Sequence, residues 1–186
     1  MTVNSMPALA LIRELIPTPA GVVVLLTDAA GRIRALDWDD HEDRMHRILR
    51  LHYRPDGVTL RDAGSPTKAR AAVEAYFAGD LAALDGLSVE TPGTQFQRAV
   101  WAALRNIPAG ETLSYGQLAA RIGKPKAVRA VGLANGSNPV GVVVPCHRVI
   151  GADGSLTGYG GGLPRKLWLL RHEGARLKTA REEADA

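Results

Sequence analysis

The stretch "TLSYGQLAARIGKPKAVRAVGLANGSNP", residues 112–139, reads as two short helices joined by a Gly-Lys-Pro turn. Leu118, Ala119 and Ile122 would form the apolar stripe of the first helix, and Val128, Val131 and Leu133 part of the second's. The pattern fits a helix-turn-helix, whose second helix normally enters a DNA groove, and it fits a plain helical hairpin as well. Upstream, "GTQFQRAVWAALRNIPAG" (93–110) places Phe96, Val100, Trp101 and Leu104 on one helical face, ended by Pro108 and Gly110. Downstream, "GVVVPC" (141–146) is a β-branched run suited to a buried strand. The glycine-rich loop "GADGSLTGYGGGLPRK" follows, then a final amphipathic helix in "PRKLWLLRHEGARL" with Leu167, Leu170 and Arg171 near one face.

The first half has a different texture. "GVVVLLTD" (21–28), a turn at Ala30-Gly31 and "RIRALDW" (32–38) make a hairpin signal, with Ile33, Ala35 and Asp37 alternating with their neighbours. "DDHEDRMHRILRLHY" (39–53) has acidic residues first, basic ones later, and Met45, Ile48, Leu49 and His52 at helical spacing. "SPTKARAAVEAYFAGD" (65–80) predicts a helix capped by Ser65, with Pro66 at its first position and Gly79 closing it. Pro92 and Gly93 break the chain where the acidic excess ends. The expected division is an α/β support domain over 1–90, a mostly helical domain over 91–174 and a flexible tail over 175–186.

Charge sharpens this division. Residues 1–90 carry 10 Lys/Arg against 13 Asp/Glu, whereas 91–174 carry 10 against 3, so the whole net charge of +4 comes from the second segment. Lys124, Lys126 and Arg129 cluster at the helix-helix turn and on the second helix. A basic segment of this kind suits a polyanionic partner, because neutralising phosphates releases counterions. The start of the chain lacks a basic n-region, and no apolar run approaches the ~20 residues that span a bilayer, so no membrane contact is expected. A single cysteine excludes an internal disulfide, and His41, His46 and His52 lack the i, i+4 spacing of a helical metal pair. No metal or cofactor is expected, and the setting is read as reducing and cytoplasmic.

That cysteine sits in "VVVPCHRVIG" (142–151). A buried lone cysteine is often a small hydrophobe chosen for packing. As a nucleophile, Cys146 would need its thiol, with a free pKa of about 8.5, deprotonated by a neighbouring base. His147 is adjacent, but adjacent side chains of an extended chain point to opposite sides. Pro145 favours a break that would let a water join the two.

With its surroundings, "NPVGVVVPCHRVIGADGSLTGYGGGLPRKLWLLRHEG" closely resembles the signature of the O6-alkylguanine-DNA alkyltransferases. The likeness extends upstream through "GTQFQRAVWAALRNIPAGETLSYGQLAARIGKPKAVRAVGLANGSNP", together covering 93–174. "RIRALDW" and "AVEAYFAG" are similar to the bacterial Ogt-like branch.

The resemblance implies a small N-terminal antiparallel sheet with helices, ribonuclease H-like, and a C-terminal mostly helical, winged-helix-like domain with the helix-turn-helix. It implies that Cys146 accepts the alkyl group of O6-alkylguanine, and of O4-alkylthymine, in duplex DNA, once per molecule. His147 would be the water-mediated base and Glu173 its orienter, while Asn138 would hold the turn before the cysteine. Tyr115 would donate to the flipped guanine. Arg129 would fill the stack, and Lys124, Lys126, Ala127, Ala130 and Gly132 would meet DNA in the minor groove. Val149, Tyr159, Gly160 and Gly161 would line the pocket. Where some relatives carry serine after the tyrosine, Gly160 suggests a wider pocket that accepts larger alkyl groups. A monomer is expected in solution, with neighbour contacts on DNA as an alternative role for the N-terminal half. The competing readings are a non-catalytic helix-turn-helix regulator, which needs no cysteine, and a Cys-His hydrolase, which gives no reason for the basic helices.

Overall fold

A computed structural model describes residues 8–53 and 57–177. Its first half is a four-stranded sheet in the order β3-β2-β1-β4, formed by β1 (Leu9–Thr18), β2 (Gly21–Asp28), β3 (Ile33–Trp38) and β4 (Val58–Asp62). β2 and β3 form the expected hairpin, and β1, not singled out as a strand from the sequence, pairs antiparallel with β2. β4, reached through α1 (Glu42–His52), adds to β1 in parallel, which the hairpin reading did not include. The hairpin turn is held by Asp28, whose Oδ1 accepts from the amides of Ala30 and Arg32.

β2 and β3 are buried along almost their whole length, and the alternation expected of β3 disappears because both faces are covered. One face, with Val24, Leu26 and Ala35, packs with Met45 and Leu49 of α1. The other face, with Val23, Leu25, Leu36 and Trp38, joins the main core. That core also takes Val73, Tyr76 and Phe77 of α2 (Lys68–Phe77) together with residues of the second half, so the halves share one apolar interior. Each fully buried Leu or Val in it contributes about 1.5 to 3 kcal/mol.

α2 begins later than Ser65. Its cap is Thr67, whose hydroxyl accepts from the Arg70 amide while itself donating to buried Glu14 of β1. A carboxylate beneath the helix start satisfies the Thr67 amide too, and this long-range partner moves the cap two residues along.

The second half contains α3 (Gln95–Arg105), α4 (Tyr115–Arg121), α5 (Val128–Gly136) and α6 (Leu163–His172), with a two-residue parallel pair β5 (Leu113–Ser114) and β6 (Val149–Ile150). α3 and α4 each start with a capping box, Thr94 with Gln97 and Ser114 with Gln117. The indole of Trp101 donates to the Ala134 carbonyl at 2.9 Å, which locks α3 to α5. The stripe expected of α5 is only partly correct. Val131 is buried, but Val128 is 40% and Leu133 72% exposed, because the packed face of α5 is made by Val131, Ala134 and Asn135. On α6 the packed residues are Lys166, Leu169 and Leu170, with Arg171 in solvent.

"GVVVPC" is not a strand. Residues 139–141 touch the β3 edge, with Leu36 donating to the Pro139 carbonyl and accepting from the Gly141 amide. The chain then turns tightly, with Val142 at φ 65°, a region that β-branched residues rarely occupy. Residues 88–90 cover another part of β3, through Ile33 to Ser88 and Glu90 to Ile33 bonds, so this edge is not left open. Among the described residues no helix is long and apolar enough to cross a membrane.

Replacing Thr94 by alanine removes one half of the α3 capping box. The expected loss is about 1 kcal/mol of unfolding free energy, read as a lower denaturant midpoint at an unchanged slope.

Candidate active site and nucleic-acid interface

The turn that replaces the expected strand is what aims the cysteine. Asn138, buried at the end of α5, donates through Nδ2 to the Val144 carbonyl at 2.7 Å and accepts from the Val140 amide at 3.0 Å. It spans the loop from inside and holds Val142 in its left-handed conformation. Immediately after Pro145, Cys146–Arg148 form one turn of 3-10 helix. Consecutive residues of such a turn diverge by about a third of a circle. The thiol and the imidazole therefore do not lie on opposite faces as they would in a strand.

His147 is fully buried, and its Nε2 lies 2.8 Å from Glu173 Oε1. A carboxylate accepts there, so Nε2 carries the proton and Nδ1 keeps its lone pair; among the described residues Nδ1 has no hydrogen-bond partner. Burial pulls the imidazole below its ordinary value, while the hydrogen bond it donates to Glu173 works against that. The ring is thus a neutral acceptor at neutral pH.

Glu173, just past α6, is the most heavily bonded side chain of the site. Arg148 grips it with Nε to Oε2 at 2.9 Å and Nη2 to Oε1 at 2.8 Å, and also donates to the Ile107 carbonyl. Tyr76 of α2 donates its hydroxyl to Oε1 at 2.7 Å. Burial alone would raise this carboxyl, but the bonds from His147 and Arg148 outweigh it and hold the group far below the usual carboxylate range. Cys146 itself is 5% exposed. Burial raises its thiol, opposed by a hydrogen bond from Asn138 and by the positive charges of Arg44 and Lys166. The resting group is a thiol with two cations arranged to favour its ionisation.

Lys166 is a further unexpected member. It is fully buried, and its ammonium donates to the carbonyls of Val149 and Thr157, each at 2.6 Å, with burial lowering it to about 8. This cation ties β6 to the loop bearing Tyr159, through the carbonyl of Val149, a residue expected to line the pocket. Tyr159 Oη accepts from the Trp38 indole at 3.4 Å, so the first half supplies part of the pocket wall. A Cβ at Gly161 would fall 2.2 Å from the Trp38 indole nitrogen, and one at Gly160 would fall 2.6 Å from the Arg44 guanidinium carbon. The space beside Gly160 is therefore filled. Arg44 is anchored there by Asp37 and by the carbonyls of Gly136 and Asn138.

Tyr115, first residue of α4, donates to the Thr157 carbonyl at 3.4 Å. Gly132 faces its ring, where an added Cβ would stand 3.8 Å from Cδ1, rather than open solvent. Lys124, Lys126, Arg129 and Ala130 are exposed along the α4–α5 turn and α5, and Ala127 is half-buried at the α5 start. The structure thus gathers Cys146, His147, Glu173, Asn138 and Tyr159, places Tyr115 against the pocket loop, and leaves Arg129 free on the helix surface. Arg148, Tyr76, Lys166 and Arg44 were not singled out from sequence.

A family model described as 6-O-methylguanine DNA methyltransferase, DNA binding domain, matches residues 95–175. A methylated-DNA–protein-cysteine methyltransferase of Salmonella typhimurium is 52% identical over 169 residues, covering 91% of this chain and 99% of the relative. One of Mycobacterium bovis is 53% identical over 131 residues, 70% of this chain and 79% of the relative. Among solved structures, Mycobacterium tuberculosis OGT in complex with DNA superposes with a TM-score of 0.70 at 40% identity, covering 89% of this chain and 92% of that one. The O6-methylguanine-DNA methyltransferase of the archaeon Pyrococcus kodakaraensis follows the same fold with a TM-score of 0.60 at 25% identity, over 89% and 99% of the two chains.

The Glu173 carboxyl lies below its unfolded value near 4.5, so its stabilisation is fully present above that pH and fades as pH falls. Replacing Glu173 by glutamine strands the buried Arg148 guanidinium and should cost about 3 to 5 kcal/mol at neutral pH. In urea titrations the gap between wild type and variant should narrow as the pH is taken below 4.5.

Proposed function

The chain belongs to the methylated-DNA–protein-cysteine methyltransferases, which repair DNA by alkyl transfer, and on that premise we propose that Cys146 is the acceptor of alkyl groups from the O6 position of guanine. The observation that carries this reading is the buried chain Cys146, His147, Glu173, in which a neutral imidazole adjoins the only thiol and is backed by a fixed anion.

The thiol proton passes through a water to His147 Nδ1. The thiolate displaces guanine from the alkyl carbon, forming the carbon–sulfur bond as the carbon–oxygen bond breaks. The bonding pair stays on the oxygen, and the base recovers a proton from the imidazolium. Glu173 stabilises the charge that His147 carries between these events. No group in the site removes an alkyl chain from a thioether, so each molecule reacts once.

A guanine inside a duplex cannot reach a thiol that is 5% exposed, and the damaged nucleotide must rotate out. Arg129, exposed on α5, would occupy the vacated stack, with Lys124 and Lys126 on phosphates. Tyr115 must leave Thr157 to donate to the extruded base, whose edge meets Tyr159 and the 157–161 loop. The surface of α5 offers few side chains that read base edges, which suits a protein that meets lesions in any sequence. O4-alkylthymine presents the same alkyl–oxygen bond and is a second substrate. A free thiol as reagent suits a reducing, cytoplasmic setting, and the chain is read as a monomer in solution.

Incubation with a duplex carrying labelled O6-methylguanine should transfer one equivalent of label to Cys146 and none to a Cys146→Ser variant. Repeated transfers would indicate a turnover enzyme, and DNA binding without any label would indicate a regulator. Arg129→Ala should slow transfer at least ~10-fold while leaving reaction with the free O6-alkylated base nearly unchanged, since flipping is then not required.

A further inference from the structure

We propose that Tyr76, carried by α2 in the first half of the chain, is a positioning residue for alkyl transfer: its hydroxyl, 2.7 Å from Glu173 Oε1, sets how strongly that carboxylate draws on the Nε2 proton of His147. The inference rests on the reading of Cys146 and His147 given above.

The Tyr76 ring is fully buried and held from several sides. It stands edge-on to Phe77 and to His172, each with centroids 5.2 Å away, and its carbonyl lies 2.8 Å from His172 Nε2. The hydroxyl so fixed has one hydrogen-bond acceptor, Glu173. Burial, reinforced by the neighbouring Glu173 charge, pushes the phenol far above its ordinary value, so it remains a donor at every working pH.

Oε1 of Glu173 takes three donors, Tyr76 Oη, His147 Nε2 and Arg148 Nη2, while Oε2 takes Arg148 Nε and, at 3.5 Å, the Gly110 amide. Donors to one oxygen compete for its electron density. With Tyr76 present, His147 faces a partly neutralised anion and stays weakly basic. With it absent, Glu173 pulls harder on the Nε2 proton and stabilises the imidazolium. The charged groups acting on His147 are Glu173, Arg148 and Lys166, with the Tyr159 ring edge-on at 6.4 Å and Cys146 next in the chain. Below about pH 7 none of these except His147 changes charge, so an acid limb of the transfer rate reports His147 alone.

The test compares the full-length wild type with Tyr76→Phe, which keeps the ring against Phe77 and His172. In the unreacted proteins the His147 Nε2–H proton resonance should move downfield in the variant. In single-turnover transfer from duplex O6-methylguanine the acid limb should shift upward by roughly half a pH unit, giving a rate about 3-fold lower deep on that limb and little change on the plateau. A purely structural role would lower the rate equally at all pH values and leave the limb in place. Because Tyr76→Phe removes a buried bond and can fail to fold, 3-fluorotyrosine at position 76 supplies a stronger donor of nearly the same shape. It should move both the resonance and the limb the opposite way.

The proposal is overturned if resonance or limb stays at its wild-type position in the folded variants. Should wild type transfer no label to Cys146, the underlying reading fails on that result, and the Nε2–H resonance alone decides whether Tyr76 governs His147.

Discussion

The buried Glu173 carboxylate is the constraint around which the rest of this molecule is arranged. An anion with 5% exposure is tolerated only if donors replace its water, and here the donors come from three separate parts of the chain: Tyr76 of α2, the Gly110 amide in the loop after α3, and His147 and Arg148 of the turn after Pro145. Satisfying one side chain therefore brings together segments that are about a hundred residues apart. The same bonds that make the burial affordable also orient His147, so structural and chemical demands fall on a single group.

The cysteine loop shows the complementary device, backbone strain held by a polar side chain. Val142 at φ 65° costs on the order of 1 kcal/mol or more, and Asn138 offsets this with bonds to both limbs of the loop. The result is a thiol placed without recourse to a strand. Lys166 performs a similar task on the other wall, joining Val149 to Thr157 through one ammonium. Both devices fix backbone with buried polar groups rather than with repetitive secondary structure.

Most elements with a clear local signature were legible in the sequence: the β2–β3 hairpin with its Ala30-Gly31 turn, α1, α3, and the α4–α5 pair. The misreadings came from partners far away in the chain. Thr67 displaced Ser65 as cap because Glu14 lies beneath it, and "GVVVPC" failed as a strand because Asn138 bends it. Leu133 looked like core by spacing, yet α5 packs through smaller residues and leaves it in solvent. In the site, Cys146, His147 and Glu173 were legible through the family pattern. Tyr76, Arg148, Lys166 and Arg44 were hidden, since an arginine or lysine in a sequence gives no sign of being buried until its carboxylate or carbonyl partners are known.

Arg44 has a bearing on how such a chain can be inherited. Its guanidinium donates to the carbonyls of Gly136 and Asn138, where α5 ends, while Asp37 of β3 holds it from behind. The helix expected to meet DNA is thus propped at its negative pole by a cation from the opposite half. Exchanging the N-terminal half for one that lacks this arginine would preserve every atom named in the reaction and still remove the support at the end of α5. A junction that contains no reactive residue thus carries a constraint of its own.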